Sequence, residues 1–275
     1  MPFSFPLQEF SDWLHQNGYY QACGIPAFTT QRVCPVQNLR YERRLRAGRP
    51  LPLGAHSHPG RFLREVSTAC QKVYRALYLH QQVDLPDWPG LLQDGQALWQ
   101  ISPLWTQAGL RQIISSIPGR SPGEFVYLGD DSGLLIESSW QWLRERGRGR
   151  VADLCCGCGV VGLSLPDGFE EIVGLDFNQQ SLELARLNHQ LNRADLPCRY
   201  EFSDMWSAAR GQFDFVVGNP PALPVPSDLL YAYGGEDPAA LTVRAVQGLE
   251  EYLAPGGKCL LLSFSVRERL WEGPQ

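Results

Sequence analysis

The sequence predicts an α/β fold in which a mostly parallel β-sheet carries helices on both faces. From residue 125 onwards, short apolar runs alternate with segments of helical periodicity, a pattern typical of parallel strands joined by helical crossovers. A glycine-rich turn follows one apolar run at Gly157–Gly159, and the rigid triplet Asn219-Pro220-Pro221 follows another. Both turns are expected where an open parallel sheet binds ligands, at the carboxyl ends of its strands.

Each predicted element has its own local pattern. The strands are short apolar runs, and the helices repeat apolar residues every three or four positions, as at Leu184, Leu187 and Leu191. The expected strands cover 125–129, 150–155, 171–176, 198–203, 213–217 and 257–266, and the expected helices cover 131–145, a short segment from 160, a segment around 184–191, and 238–253. The strands from residue 150 onwards predict a Rossmann-like arrangement.

The organisation of the chain changes near residue 120. Residues 1–120 are predicted to be a mostly helical N-terminal region that recognises the substrate, because apolar residues recur at helical spacing around 7–14 and 62–77. Residues 121–275 are predicted to be the cofactor-binding catalytic domain.

The end of the N-terminal region has a different character. Residues 85–123 are rich in proline, glycine and tryptophan, with short apolar runs near 97–101 and 111–114. These runs are consistent either with strands of a small subdomain or with a linker.

Composition indicates a folded protein rather than a membrane or fibrous one. The 275 residues are 44% hydrophobic and 19% charged, which suits a sizeable buried core. Neither a signal-peptide pattern nor an apolar run of membrane-spanning length is present in the sequence. We therefore predict a cytoplasmic protein without a membrane contact.

The eight cysteines show no spaced framework, so we predict reduced thiols. Cys155 and Cys158 have a C-x-x-C spacing but lack a second pair of ligands. No metal site is therefore predicted.

Charge is distributed unevenly along the chain. Residues 1–125 carry 12 Lys/Arg and 8 Asp/Glu, whereas residues 126–275 carry 12 and 21. Five arginines crowd into 40–49, which is consistent either with a solvated loop or with recognition of an anionic partner such as RNA or a ribosome-associated surface.

The glycine-rich turn is predicted to hold a nucleotide cofactor. Gly157 and Gly159 allow the backbone to approach a ligand closely, and the following helix start offers N–H donors. Asp176 ends the next strand 17 residues after Gly159, where a carboxylate can accept both ribose hydroxyl protons. Phe177, directly after it, is included among the predicted cofactor contacts.

Two cofactors fit the turn. Gly157 to Gly162 satisfies the G-x-G-x-x-G dinucleotide pattern, so a nicotinamide-dependent oxidoreductase is one alternative. Asp153, however, would repel a pyrophosphate and could hold the ammonium of a methionine moiety. After the third strand, Asp204 could accept a hydrogen bond from the amino group of an adenine, and Met205 or Trp206 could pack on the ring. These residues favour S-adenosylmethionine.

Asn219 and Pro220 are the predicted catalytic residues, and Pro221 beside them is predicted to contact substrate. The two prolines fix the backbone after the fourth strand. The Asn219 side-chain oxygen and the carbonyl of Gly218 or Pro220 could then accept two N–H bonds from a planar nitrogen and align it for methyl transfer.

These motifs, in this order, resemble the class I S-adenosylmethionine-dependent methyltransferases of the Asn-Pro-Pro-aromatic type. The segment Tyr233–Asp237 and the pair Asp131-Ser132 resemble the HemK-like branch, the release-factor glutamine methyltransferases. The resemblance implies that Asp131, Ser132 and Cys155 contribute to the cofactor pocket. It also implies an N-methyltransferase acting on a protein amide or an RNA base nitrogen.

The sequence departs from the family pattern in three places. Cys155 replaces the first glycine of the turn, and Ala222 replaces the aromatic residue after Pro221, for which Tyr231 or Tyr233 could substitute. The chain stops soon after the fifth strand, so the usual C-terminal antiparallel hairpin is predicted to be missing. A non-catalytic binding protein with a degenerate methyltransferase fold is therefore a second alternative.

Overall fold

The computed structural model describes a set of ranges along the chain, namely 9, 12, 16, 72, 82–84, 90–106, 109–117, 119–143, 147–193, 195–222, 237 and 239–263. Glu9, Asp12, Gln16 and Lys72 have helical backbone. The arginine cluster at 40–49, most of the two predicted N-terminal helices, Tyr231, Tyr233 and the C-terminal twelve residues lie outside these ranges.

Two antiparallel hairpins contain the first of the described strands. Strand β1 (Leu92–Gln93) pairs with β2 (Gln96–Ala97), and β3 (Trp99–Thr106) pairs with β4 (Gly109–Ser116). The apolar run near 111–114 lies in β4, and the run near 97–101 spans the end of β2 and the start of β3, so both are strands rather than a linker.

A parallel five-stranded sheet follows, in the order β7-β6-β5-β8-β9. Its elements along the chain are α1 (Asp130–Leu143), β5 (Arg150–Leu154), α2 (Val160–Leu163), β6 (Glu171–Asp176), α3 (Gln179–Arg193), β7 (Cys198–Phe202), β8 (Phe213–Gly218), α4 (Ala240–Tyr252) and β9 (Leu253–Leu261). Every strand pair in this sheet is parallel. The predicted α/β architecture is confirmed.

Two predicted strands differ from the observed ones. Residues 125–129 are not a strand, because the Val126 N–H is held by the Ser116 side-chain oxygen at 2.9 Å while the Val126 carbonyl accepts the Ser116 N–H at 3.1 Å. These two bonds attach the segment to the end of β4 at a single point. Strand β9 begins at Leu253 rather than at 257, directly after α4.

The sheet is covered on both faces. One hydrophobic cluster joins β5, β6 and β8 to α1, α2, α3 and the hairpin of β3 and β4, with Trp99, Ile136 and Phe215 almost completely buried in it. A second cluster on the opposite face packs α4 and the segment 205–209 against the sheet. The described part of residues 90–117 thus shares a core with the sheet domain.

A buried amide joins the hairpin to the glycine-rich turn. Asn188 on α3 is fully buried, and its side-chain oxygen accepts the Ile114 N–H at 2.7 Å. Its Nδ2 donates to the carbonyls of Ile114 and Cys158, both at 2.9 Å. One side chain therefore satisfies three backbone groups of β4 and the turn, which would otherwise have to find other partners.

Replacing this amide is expected to destabilise the fold. In Asn188→Ala the three backbone groups remain buried without their partner, so we expect the free energy of unfolding to fall by about 3 kcal/mol. Urea denaturation measures the change, and Gln190→Ala, at an exposed position of the same helix, is the control. An equal loss in both variants would contradict a specific role for the buried amide.

Candidate cofactor and catalytic site

The carboxyl ends of β5, β6 and β8 surround one cavity of about 300 Å³. Ten of the predicted site residues line it: Ser132, Asp153, Cys155, Gly157, Asp176, Phe177, Asp204, Met205, Asn219 and Pro221. Gly159, Pro220 and Asp131 are each adjacent in the chain to a lining residue. The structure therefore brings the predicted residues of five separate segments to one place.

The turn after β5 has the backbone that a glycine-rich cofactor turn requires. Gly157 and Gly159 have φ values of 54° and 76°, in the left-handed region that glycine adopts at little cost. A Cβ at Gly159 would lie 3.0 Å from the Ala185 Cβ, so the turn is also packed tightly against α3. Helix α2 is only four residues long.

Cys155 adopts the same left-handed backbone, with φ of 53°. This conformation is costly for a residue with a Cβ, yet the turn keeps the shape expected for a glycine there. The Cys155 Sγ lies 3.9 Å from the Met205 Sδ and lines the cavity. Burial, the largest cause, and the nearby carboxylates raise the pKa of the Cys155 thiol, so it stays protonated and is a poor nucleophile.

Asp153 lies almost completely buried below the cavity, 2% exposed. Its Oδ2 accepts the Gly162 N–H at 2.9 Å. Burial raises the pKa of Asp153 from 3.8 to about 7, although the bond from Gly162 lowers it and the charge of Asp176 raises it further. A buried carboxylate without a cation is costly, so this site suits a positively charged group.

Asp176 supports the turn from the end of β6. Its Oδ2 accepts the Gly157 N–H and its Oδ1 accepts the Asn178 N–H, both at 2.8 Å. Burial raises the pKa of Asp176 despite these bonds. The carboxylate oxygens retain further acceptor capacity towards the cavity, as the predicted contact with ribose hydroxyls requires.

Of the two residues after β7 that could pack on an adenine ring, the structure places only Met205 at the cavity. Met205 lines the cavity, whereas the Trp206 Nε1 donates to the Ala245 carbonyl at 3.1 Å and its ring stacks on Tyr252. Trp206 is thus committed to packing α4. Asp204 lines the cavity and also pairs with Arg244 at 2.9 Å.

Asn219 follows β8 at the cavity wall. Its Nδ2 donates to the Asp131 Oδ2 at 2.7 Å. The Gly218 carbonyl already accepts the Leu262 N–H at 2.9 Å, so the Pro220 carbonyl is the better of the two candidate partners for a substrate. Ala222 is buried and offers no ring.

Sequence reasoning missed several lining residues. Phe125, Val126 and Tyr127 line the cavity, but the expected strand at 125–129 left no reason to place them there. The signal that could have found them is their position shortly before Asp131 and Ser132 in the chain. Leu241 on α4 closes the cavity from the other face, a contact that no local motif announces.

Two kinds of feature are absent from the described part of the chain. Those residues contain no helix of the length and apolarity that a membrane crossing needs. They also contain no group of three or more His, Cys, Asp or Glu side chains arranged to hold a metal ion.

Relieving the backbone conformation at Cys155 is expected to stabilise the fold. We compare Cys155→Gly with Cys155→Ala, because both remove the thiol but only glycine tolerates the left-handed backbone. The glycine variant should be more stable by about 1 kcal/mol, as measured by urea denaturation. Equal stability of the two variants would mean that the turn relaxes around residue 155.

Cofactor binding should depend on pH through Asp153. Pairing with an ammonium group requires the ionised carboxylate, so below a pH of about 7 binding must first displace a proton. The affinity for S-adenosylmethionine should therefore fall as the pH is lowered, approaching about tenfold per pH unit. Calorimetry between about pH 5.5 and about pH 7.5 measures the slope around this pKa.

Asp153→Asn is the control, because its amide oxygen can still accept the Gly162 N–H but cannot titrate. This variant should bind more weakly, with a flat pH dependence. If the affinity of Asp153→Asn for the cofactor had the same slope with pH as that of the wild type, the titration would belong to another group.

The raised pKa of Asp153 also affects the stability of the free protein. Its contribution to the free energy of unfolding decreases as the pH rises from 3.8 to about 7.

Comparison with known proteins agrees with this arrangement. Residues 129–263 match the family described as Methyltransferase small domain. One relative, from Methanocaldococcus jannaschii, is provisionally named as a protein N5-glutamine methyltransferase. It is 31% identical to this chain over 124 residues, and the match covers 42% of this chain and 62% of the relative.

Two bacterial relatives have other names. The ribosomal RNA small subunit methyltransferase C of Pasteurella multocida is 27% identical, covering 54% of this chain and 41% of the relative. The release factor glutamine methyltransferase of Bordetella pertussis is 30% identical, covering 46% and 52%. The chain thus spans less than two thirds of the length of each of the three relatives.

The family match extends from the start of α1 to the end of β9 and includes the whole cavity wall formed by the sheet. It favours a methyltransferase over the nicotinamide-dependent alternative, and it confirms the predicted fold and the predicted cofactor, S-adenosylmethionine. Residues 129–263 therefore have the fold of a class I S-adenosylmethionine-dependent methyltransferase.

Proposed function

We propose that this protein is an N-methyltransferase of the Asn-Pro-Pro type that modifies a planar nitrogen. The observation that carries the proposal is that Asn219 and Pro221 line the same cavity as Asp153 and Asp176. An acceptor for a substrate N–H and two acidic anchors for a cofactor would thereby share one cavity.

The residues present suit S-adenosylmethionine. Asp153 is a buried carboxylate at the cavity wall and would hold the ammonium group, and Asp176 would accept the ribose hydroxyls. Met205 and Phe177 offer apolar surface for the adenine, with Asp204 at the rim. When bound, the cofactor supplies a methyl group on a sulfonium sulfur.

The protein contributes alignment rather than acid or base chemistry. The Asn219 side-chain oxygen and the Pro220 carbonyl would accept the two hydrogens of a planar –NH₂ group, which directs the nitrogen lone pair along one line. Holding the nitrogen in this orientation supplies much of the reduction in the activation barrier for methyl transfer. The displacement of the methyl group from the sulfonium needs no buried base. The proton leaves the nitrogen after the transfer and passes to solvent.

A protein glutamine amide is the first candidate substrate. It is supported by the relatives named for glutamine methylation, one of which matches over 62% of its own length. The pair Asp131-Ser132 at the start of α1 also resembles the HemK-like branch, which supports the same substrate. A base nitrogen of ribosomal RNA is the second candidate, supported by the relative named for small-subunit RNA and by the arginines at 40–49.

The N-terminal 120 residues are proposed to recognise the substrate, and a ribosome-associated substrate would place the protein in the cytoplasm. The direct test is methyl transfer from radiolabelled S-adenosylmethionine to purified release factor and, separately, to small-subunit ribosomal RNA. Incorporation into neither would favour the non-catalytic alternative.

Asn219→Ala is expected to abolish most turnover while sparing the cofactor. Loss of one preorganised hydrogen-bond group should lower kcat by about 100- to 1,000-fold, whereas the dissociation constant of S-adenosylhomocysteine should change little. The assay is methyl transfer to the substrate that the wild type accepts, with calorimetry for the cofactor product. Unchanged turnover would remove Asn219 from the mechanism.

A further inference from the structure

Asp131 and Asn219 form a short hydrogen bond between distant parts of the chain. Asp131 lies in the first turn of α1 and Asn219 follows β8, yet the Asn219 Nδ2 lies 2.7 Å from the Asp131 Oδ2. The other oxygen, Oδ1, accepts the Ser132 N–H at 2.9 Å. Each carboxylate oxygen thus has a donor of its own, one from the helix backbone and one from the cavity wall.

This bond determines which way the Asn219 amide faces. The two ends of an asparagine amide have nearly the same shape, so its orientation follows from its partners. An ionised carboxylate can only accept hydrogen bonds, so it selects the orientation in which the NH₂ group faces Asp131. The Asn219 Oδ1 is then the atom left to accept a bond in the cavity.

We propose that Asp131 is a positioning residue that holds Asn219 with its acceptor available to the substrate nitrogen. This inference rests on the proposed function, because it assigns Asn219 the role of accepting a substrate N–H. It differs from the cofactor contact that the sequence resemblance implied for Asp131. Donation to an anion also polarises the amide, which makes its oxygen a stronger acceptor.

Asp131→Asn provides a sharp test because its amide should reverse the arrangement. The Ser132 N–H still requires an acceptor, so the new side chain would turn its oxygen to Ser132 and its NH₂ group to Asn219. Asn219 would then rotate and present a donor in the cavity. We expect kcat to fall by about 100-fold, with little change in the affinity for S-adenosylhomocysteine.

The exchanged pair Asp131→Asn with Asn219→Asp should restore the acceptor. The amide introduced at position 131 would donate to one oxygen of the carboxylate introduced at position 219. The other oxygen of that carboxylate would remain for the substrate, and the net charge of the pair would be unchanged. The double variant should therefore be more active than either single variant, a coupling that only an interacting pair gives. Asp195→Asn, which makes the same charge change at an exposed position, is the matched control and should leave kcat unchanged.

A spectroscopic measurement separates this inference from the proposed function. In ¹⁵N-labelled protein, the side-chain amide signal of Asn219, assigned by its loss in Asn219→Ala, should move upfield in Asp131→Ala but not in Asp195→Asn. If the wild type methylates neither release factor nor small-subunit RNA but this shift is seen, the proposed function fails and the hydrogen bond stands.

Three results would overturn the inference. The first is an Asn219 amide signal that is the same in wild type and Asp131→Ala. The second is a double variant no more active than the weaker single variant. The third is a loss of S-adenosylhomocysteine affinity in Asp131→Asn that accounts for the whole loss of activity, which would return Asp131 to the cofactor.

Discussion

The pairing of β5 on both of its edges is the constraint on which the site depends. Leu154 pairs with Leu175 on one side and with Gly218 on the other. The next residues, Cys155, Asp176 and Asn219, consequently lie side by side, and the parallel direction of the strands puts them at one edge of the sheet. A slip of one residue in either pair would move an acidic anchor or the amide away from the cavity and reverse the faces of the strand.

The strands and the residues that end them could be predicted from the sequence, because both are encoded locally. Buried parallel strands are continuous apolar runs, and the residues that end them are glycine, aspartate and asparagine, which are easily seen against that background. The residues that local reasoning missed act across long separations. Phe125 and Tyr127 reach the cavity because Val126 is bonded to Ser116, and Trp206 is withdrawn from it by Ala245 and Tyr252. Such contacts leave no local periodicity.

The turn of the cofactor site shows how a departure from a family pattern can leave the geometry intact. Cys155 takes a backbone conformation that favours glycine, and its buried side chain is accommodated beside Met205. Burial also raises the pKa of Cys156 and that of Cys158, the latter to about 12. Three thiols therefore surround the cavity in their protonated, weakly reactive form, so a cysteine-rich turn need not be a metal or redox centre.

The buried amide of Asn188 sets a limit on how the molecule can be divided. It bonds Ile114 of the hairpin and Cys158 of the cofactor turn at the same time, and the surrounding apolar cluster is built from both sides. A fragment cut at residue 121 would keep the cofactor motifs but expose the face of α3 that the hairpin covers. We therefore expect the smallest unit that retains an intact cofactor turn to start before the hairpin, upstream of the motifs that form the cofactor site.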